Sequence, residues 1–363
     1  MATAALSFKN RYGRLDRLLH RVAFATTWAQ RGTADIEERL FRKELAAVEL
    51  GPPVLITGLP RAGTTILLEI LAGSSTFASH TYRDMPFVLC PLLWNRLSKP
   101  FQRQGAPRER AHGDGIQLSA DSPEAFEEVL WQRFWPQHYR GSTIVTWPRC
   151  DEAEFLEFFR SHMRKIVTLR ARDKPTATRY VSKNNLNVAR IPAVLDACSD
   201  ATVLVPFREP VQHAVSLLRQ HERFLAMHTE DAFAKRYMAD IGHFDFGANL
   251  KPINFGGWMN GRSIQEAHEL GFWLDYWIAT YQHVQKNAAN DRLHLICFEA
   301  LGAALDLKQL ADCLGLLEPD SLQAGAKRLR PAKMHEVDQA GLNPSQVAKA
   351  TDLYEQMRRE SIL

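Results

Sequence analysis

Short apolar runs alternate with longer segments of helical hydrophobic spacing along most of the chain. The runs are rich in β-branched residues, which is typical of strands buried in a parallel sheet. Because strands that alternate with helices favour a parallel sheet with right-handed crossovers, the pattern predicts an α/β fold with a central parallel sheet flanked by helices. The predicted strands lie near 52–56, 179–183, 201–207 and 294–298, and the predicted helices near 64–71, 152–170, 191–198 and 211–224.

Two stretches interrupt this alternation. Residues 95–122 are rich in Gly, Pro, Arg and Ser, and residues 225–262 carry many Gly, Asn, His and aromatic residues. Such compositions are typical of loops. We therefore predict a single domain over 51–363, with insertions near 95–150 and 225–262 that lie over the active site.

A helix is predicted to begin within the first of these insertions, at the sequence Ser-Pro-Glu-Ala-Phe-Glu-Glu. Ser122 is suited to the N-cap, Pro123 to the first turn, and the following acids to the positive end of the helix dipole. Glu127 and Glu128 either line an acceptor pocket or form a solvated helix face, and the second is the better expectation.

The first 50 residues predict a helical N-terminal arm. Leu15, Leu18 and Val22 recur at helical spacing, with arginines between them. Such a segment either packs against the domain or lies on a membrane surface. The acidic residues within 35–38 would repel an anionic leaflet, which favours packing.

Bulk composition excludes some classes of function. The chain has 363 residues and a net charge of only +4, which gives no general case for binding nucleic acid. The five cysteines form no C-x-x-C pair, which fits reduced thiols in a cytoplasmic protein. No apolar run is long enough to span a bilayer, and the N-terminus is too polar for a signal peptide.

The first predicted strand runs into a glycine turn that is followed by a helix. This arrangement suits an anion, because backbone N–H groups of the turn and the positive end of the helix point at it. Gly58, Gly63 and Thr65 match the P-loop pattern GxxxxGK[ST], but Thr64 stands at the lysine position. A triphosphatase needs that lysine, whereas a ligand with a single 5′-phosphate and one attached group needs less charge. Arg61 offers a planar fork to oxyanions.

Further basic residues follow the other predicted strands. Lys183 ends one strand, and Arg208 ends the next, just before a helix that Pro210 begins. Ser216 lies eight residues after Arg208, so the two side chains could hold one more phosphate. In open α/β sheets the edge formed by the carboxyl ends of the strands lines the ligand crevice. An ordinary turn at the glycines and a solvated strand end at Lys183 are the alternatives.

In these motifs the chain resembles the sulfotransferases that use 3′-phosphoadenosine 5′-phosphosulfate, in the broad group that contains tyrosylprotein sulfotransferases and many bacterial enzymes. Leu59-Pro60-Arg61-Ala62-Gly63-Thr64-Thr65 is similar to their 5′-phosphosulfate loop, and Val205 to Pro210 with Ser216 is similar to their 3′-phosphate element. Ser182-Lys183-Asn184 resembles their strand-end lysine. Residues 295–301 weakly resemble a late strand with an acid–leucine ending.

The resemblance implies sulfuryl transfer by in-line displacement, without a metal. It implies that Arg61 and Lys183 hold oxygens of the leaving phosphate, together with the backbone N–H groups of residues 62–65. Arg208 and Ser216 would hold the 3′-phosphate. The cofactor-binding residues are then Arg61, Ala62, Gly63, Thr64, Thr65, Arg208 and Ser216, with Lys333 added from the basic stretch 327–333, for which a surface charge run is an equal alternative.

Related enzymes also carry an acid after the first helix, which acts as a general base. Asp84, in Tyr-Arg-Asp-Met-Pro, is the matching candidate, although Asp replaces the more usual Glu, and His80 is the alternative base. Asp84 could instead form a salt bridge with Arg83 or cap a loop.

Two other functions compete with sulfuryl transfer. One is a small-molecule kinase that uses the same cradle, and the other is a nucleotide-binding protein without catalysis. The expected partners are the nucleotide donor and a hydroxyl- or amine-bearing acceptor, which could be a small molecule, a carbohydrate or a lipid head group. The sequence identifies neither the acceptor nor the oligomeric state.

Overall fold

A computed structural model describes most of the chain. The described residues are 13–25, 27–98, 108–109, 117–150, 152–303, 307–317, 322–326, 329, 335–337 and 341–363.

A parallel sheet of five strands forms the centre of the molecule. The strands of this sheet are β1 (Gly51–Ile56), β2 (Phe77–Ala78), β5 (Arg179–Lys183), β6 (Thr202–Phe207) and β7 (Leu293–Cys297). Two further strands, β3 (Arg108–Glu109) and β4 (Gln117–Leu118), form a separate antiparallel pair. The order across the main sheet is β2-β5-β1-β6-β7, and every neighbouring pair in it is parallel. The predicted α/β fold with a central parallel sheet is thereby confirmed.

Helices cover both faces of this sheet. They are α1 (Arg14–Ala23), α2 (Thr27–Leu40), α3 (Arg42–Ala46), α4 (Thr64–Gly73), α5 (Pro91–Ser98), α6 (Glu128–Phe134), α7 (Ala153–Arg170), α8 (Ile191–Ala197), α9 (Pro210–Glu230), α10 (Ala232–Asp240), α11 (Leu270–Gln285), α12 (Phe298–Ala303), α13 (Lys308–Cys313), α14 (Gln323–Ala326) and α15 (Pro344–Glu360). No helix within the described ranges is long and apolar enough to cross a membrane.

Alternate residues of the central strand face two different cores. Leu55 belongs to a large cluster with side chains of α7, α9 and α11, whereas Val54 and Ile56 belong to a smaller cluster with side chains of α4 and α13. All three side chains are fully buried. A sheet that is covered on both faces in this way explains why its strands read as continuous apolar runs.

The insertion at 225–262 is more regular than its composition predicts. Helix α9 extends to Glu230, and α10 follows at once because the Asp231 side chain accepts hydrogen bonds from the N–H groups of Phe233 and Ala234. Phe233, Ala234 and Tyr237 are buried at helical spacing. This apolar face was hidden among the Gly, Asn and His residues that predicted a loop.

The helix predicted to start at Ser122 begins later, at Glu128. Residues 122–127 instead lie beside the end of β2 and the loop after it, where Pro123 forms an antiparallel bridge with Thr81 and the N–H of Glu124 donates to the carbonyl of His80. A tertiary contact has overridden the local capping signal, and it moves Glu124 into the region where the strands end.

Candidate active site

The loop between β1 and α4 has the backbone of an anion-binding turn. Gly58 and Gly63 have φ angles of 138° and 94°, and Arg61 has a φ of 72°. Arg61 is the one residue other than glycine among those described that adopts a positive φ. Such a conformation costs on the order of 1–3 kcal/mol and persists where the surroundings hold it in place. A Cβ added to Gly63 would lie 2.3 Å from the Phe298 ring, so this position also excludes larger residues.

Two buried side chains, those of His213 and Tyr281, form hydrogen bonds with the backbone of the loop between β1 and α4. His213, on α9, lies 2.8 Å from the carbonyl oxygen of Pro60 through Nε2, which therefore carries the proton and donates it. The hydroxyl of Tyr281 donates to the carbonyl of Pro206 at 3.1 Å and also bonds the backbone of Leu59. Burial lowers the pKa of His213 to about 3, with Arg208 and Arg61 adding to the decrease, so the imidazole is neutral.

Helix α9 brings the second predicted phosphate element against this loop. The Nε of Arg61 donates to the Oγ of Ser216 at 3.2 Å. Arg208 lies at the carboxyl end of β6, with its guanidinium 5.6 Å from the centre of the Phe298 ring and its Nε 3.8 Å from Oε1 of Glu299. The structure therefore unites Arg61, Arg208 and Ser216 in one cluster.

Positive charge is concentrated in this cluster. Burial lowers the pKa of Arg208, Glu299 offsets part of the decrease, and the nearby charge of Arg61 lowers the pKa further. Two guanidiniums that repel each other, beside the N-termini of α4 and α9, form a site that an anionic ligand would stabilise.

Lys183 lies at the end of β5, directly beside Ile56 of β1. Its side chain is buried. The next two residues fix this strand end, because the side chain of Asn184 bonds Glu128 and Asn187. The amide oxygen of Asn185 accepts from the hydroxyl of Thr64 at 3.4 Å.

Glu127 and Glu128, just before and at the start of α6, are buried rather than solvated. Glu127 accepts hydrogen bonds from the side chains of Ser182, Trp131 and Asn187. Glu128 forms a buried ion pair with Arg190. The guanidinium of Arg190 lies between two indole rings, 4.1 Å from the centre of Trp131 and 4.7 Å from the centre of Trp147. This network holds the end of β5 and so orients Lys183.

Glu124 is the acid that the structure brings toward Lys183. It is half-buried, and it accepts hydrogen bonds from the hydroxyl of Tyr82 and from the N–H of Ala125. Burial raises the pKa of its carboxyl, but the charges of Lys183 and His243 and these two hydrogen bonds lower it by more, so the pKa lies below its usual range. Glu124 is therefore an ionised carboxylate next to the strand-end lysine.

Asp84 lies in a different environment. Its side chain is 1% exposed, and its two oxygens accept from Arg170, from the N–H of Thr81 and from His80. Burial raises the pKa of this carboxyl, but the charge of Arg170 and the hydrogen bond with His80 lower it by more. The salt bridge is with Arg170 of α7 rather than with Arg83, which pairs with Asp121.

His80 is equally enclosed. Its Nδ1 lies 3.1 Å from Asp84, and its Nε2 lies 2.9 Å from Nε2 of His162. Burial lowers the pKa of His162 well below its usual value, so the imidazole of His162 is neutral. Both ring nitrogens of His80 thus have buried partners, and the carboxylate of Asp84 is likewise buried.

The remaining predicted residues divide into two groups. Ala62, Gly63, Thr64 and Thr65 lie in the loop and in the first turn of α4, and Lys333 lies outside the described residues. Just after Lys333, the backbone of His335 exchanges two hydrogen bonds with the side chain of Gln212 on α9. No group of three or more His, Cys, Asp or Glu residues in the described part of the chain could hold a metal ion.

Three residues at the site were not identified from the sequence. Glu124 was predicted to stand at a helix start, His213 carried no motif, and Glu299 was visible only as the acid of a weak acid–leucine ending. The sequence pattern points most clearly to Glu299, because it directly follows a predicted strand, as Arg208 does. For His213 the signal was its place in the first turn of the helix that carries Ser216.

Comparison with known proteins gives a family match and similar folds. A family model described as the sulfotransferase family matches residues 52–244, which is more than half of the chain. The sulfotransferase STF9 from Mycobacterium avium has a similar fold, with a TM-score of 0.53 and 14% identity over 96% of this chain and 87% of that one. STF1 from Mycobacterium tuberculosis H37Rv gives a TM-score of 0.49 and 15% identity over 94% of this chain and 86% of that one. A search of curated protein sequences returned no match. By its family match the chain belongs to the sulfotransferase family, and it is a transferase enzyme.

Proposed function

We propose that this enzyme transfers a sulfuryl group from 3′-phosphoadenosine 5′-phosphosulfate to an acceptor hydroxyl or amine. The observation that carries the proposal is the hydrogen bond between Arg61 and Ser216. It joins the loop that resembles a 5′-phosphosulfate cradle to the helix that resembles a 3′-phosphate element. A donor with phosphate groups at both its 5′ and 3′ positions fits a cluster in which two arginines lie close together.

The basic residues and the backbone N–H groups of the site have separate roles in the transfer. Arg61, Lys183 and the N–H groups of residues 62–65 stabilise negative charge on the leaving phosphate oxygen as its bond to sulfur breaks. A new bond forms between sulfur and the acceptor oxygen or nitrogen. Adenosine 3′,5′-bisphosphate leaves, and Arg208 and Ser216 hold its 3′-phosphate.

The acceptor must lose a proton, and we propose Glu124 as the base that takes it. Glu124 is half-buried and ionised, and the charge of Lys183 acts on its carboxylate. When the ammonium group of Lys183 interacts with the leaving phosphate, it stabilises the carboxylate of Glu124 less. The pKa of Glu124 then rises, and the carboxylate becomes a better proton acceptor. Asp84 and His80 then act as a buried support for the segment that carries Tyr82, rather than on the acceptor.

A kinase that uses the same cradle is the competing enzyme. The residue at the lysine position of the P-loop pattern is Thr64, whose hydroxyl bonds Asn185. A neutral, hydrogen-bonded side chain at that position does not supply the charge that a nucleoside triphosphate requires. A protein that binds the nucleotide without catalysis is the other alternative, and the electrostatic interaction of Lys183 with the ionised carboxylate of Glu124 favours an enzyme.

A binding titration without magnesium tests the donor class. We expect adenosine 3′,5′-bisphosphate to bind much more tightly than ATP. Repeating the titration with magnesium should leave that order unchanged. A magnesium-dependent preference for ATP would overturn the proposal in favour of the kinase.

Transfer itself is measured with a donor that is radiolabelled in the sulfuryl group. Incubation with extract of the source cells, followed by identification of labelled products, would show the acceptor class. Tight nucleotide binding with no labelled product from any extract would favour the non-catalytic alternative.

A further inference from the structure

Helix α1 exposes a stripe of three aliphatic side chains. Leu15, Leu18 and Val22 are 66%, 57% and 58% exposed, and their spacing places them on one face of the helix. We refer to these three residues as the arm stripe. Single exposed aliphatic residues are common, but three on one helical face are a feature of interaction surfaces.

The opposite face of α1 is firmly docked. His20 is 3% exposed and lies 2.9 Å from Asp240 through Nε2. The guanidinium of Arg17 lies 5.0 Å from the centre of the Phe233 ring. Both partners belong to α10, so this face of α1 packs on α10 and the arm stripe faces outward.

Basic residues border the arm stripe on one side. Arg14 and Arg21 are exposed, and Arg14 precedes Leu18 by one helical turn. Among the described acids of α1 and α2, Glu37 and Glu38 are directed to Lys165, at 3.4 Å and 3.5 Å, and Glu37 is fully buried. Asp16 and Asp35 stay exposed, and Asp16 accepts from the N–H of Gly13. Of the acids at 35–38 that argue against a membrane surface, Glu37 and Glu38 thus interact with Lys165, and Asp35 remains exposed.

We propose that the arm stripe binds an anionic lipid surface, with Leu15, Leu18 and Val22 in the interface and Arg14 and Arg21 at the headgroups. An apolar stripe with a basic border is the pattern of helices that lie in a membrane interface. This proposal goes beyond the proposed function and does not depend on it.

A second copy of the chain fits the arm stripe less well. A two-fold pairing of the helices would bring the Arg14 and Arg21 side chains of two copies together, and like charges repel. A stable interface also buries about 800 Å² on each partner, of which three aliphatic side chains supply only a fraction.

Vesicle sedimentation with the full chain tests the proposal. The probes are vesicles of phosphatidylglycerol and phosphatidylcholine in equal parts, compared with vesicles of phosphatidylcholine alone. We expect the parent to sediment with the anionic vesicles, and binding to weaken at high salt. The triple variant Leu15→Ser, Leu18→Ser, Val22→Ser should bind about tenfold more weakly or worse, because its apolar contribution is lost.

Two further variants separate the contributions. Arg14→Gln with Arg21→Gln should weaken binding to the anionic vesicles and remove most of the salt dependence. Leu97→Ser is the matched control, because Leu97 is 66% exposed on α5, outside the arm. It should bind as the parent does, and the thermal unfolding temperatures of all variants should match that of the parent, since the changed side chains lie on the surface.

Several results would overturn the proposal. One is a parent that does not sediment with anionic vesicles, and another is a triple variant that binds as well as the parent. A dimer of the parent that the triple variant abolishes would assign the arm stripe to a second copy. Vesicle binding that appears only after residues 1–12 are deleted would show that the beginning of the chain covers the stripe.

Discussion

Arg61 and Ser216 are 155 positions apart in the chain, and the Nε of the arginine donates to the hydroxyl of the serine at 3.2 Å. The contact requires both the left-handed backbone of Arg61 and the docking of α9 under the loop through His213 and Pro60. It places the loop between β1 and α4 and the helix α9 in one region.

Arg208→Ala should weaken nucleotide binding chiefly through the 3′-phosphate. Losing a charge-assisted contact should cost about 1.5–3 kcal/mol in the binding of adenosine 3′,5′-bisphosphate. Calorimetry with this ligand and with adenosine 5′-phosphosulfate measures the effect, because the second ligand lacks the 3′-phosphate. The preference for the 3′-phosphorylated ligand should shrink, and an equal loss for both would remove Arg208 from the role.

Glu124→Gln should keep the fold and the nucleotide affinity but lower turnover by about 10²–10⁴, the range for a positioned general base. The limb of the pH–rate profile that reports ionisation of a carboxylate should disappear. Turnover is measured with saturating donor and acceptor. A Glu124→Gln enzyme with turnover near that of the parent would exclude Glu124 as the base.

Asp84→Asn is the companion to that experiment. Removing one charge of the buried pair leaves Arg170 without its counterion, which should cost about 3–5 kcal/mol of folding free energy. Chemical denaturation measures this loss, and we expect the folded fraction to retain most of its turnover per molecule. A variant of parental stability with turnover lowered as far as in Glu124→Gln would return the base to Asp84, and a severe effect confined to His80→Asn would point to His80.

His213→Leu should loosen the loop between β1 and α4. The carbonyl of Pro60 loses its buried donor, which should cost about 1–3 kcal/mol, and the KM for the donor should rise while the KM for the acceptor stays near its parental value. His213→Gln is the matched control, because its amide N–H can reach a similar position and should restore much of the donor affinity. Because burial holds the pKa of His213 at about 3, this support should not change between about pH 5 and pH 8. Unchanged donor KM in His213→Leu would contradict the role.

Stability should fall as the pH rises from about 4.5 to about 7, because of Glu37. Burial raises the pKa of this carboxyl to about 7, against 4.5 as the ordinary value, and Lys165 and the N–H of Leu93 offset only part of the increase. A group whose folded pKa is raised stabilises the fold fully below its unfolded pKa, and that contribution is lost as the pH rises through the folded pKa. The neighbouring titratable groups are Lys165, Glu38 and Cys90, whose thiol pKa burial raises to about 11.

Denaturant unfolding from about pH 5 to about pH 8 measures this dependence. The parent should lose free energy of unfolding across this range, and Glu37→Gln should lose much less because the amide does not titrate. The same slope in both proteins would assign the pH dependence to other groups.

The framework of the site was predictable from the sequence for a local reason. Hydrophobic periodicity identifies the strands of a parallel sheet, and the carboxyl ends of neighbouring strands share one edge. Lys183 and Arg208 end such strands, and the loop that carries Arg61 follows one. The positive φ angles of Gly58 and Gly63 were also predictable from local sequence, because a turn of this kind favours glycine at those positions.

The positions and the environments of the acidic residues at the site depend on the tertiary structure. Glu124 had the local pattern of a helix start, but the bridge between Pro123 and Thr81 holds its segment extended and brings the carboxylate toward Lys183. Asp84 matched a motif position, but Arg170, 86 positions further along the chain, meets it in the interior. Local sequence sets backbone preference and periodicity, whereas the charge state and accessibility of a carboxyl depend on which distant residues desolvate it and pair with it.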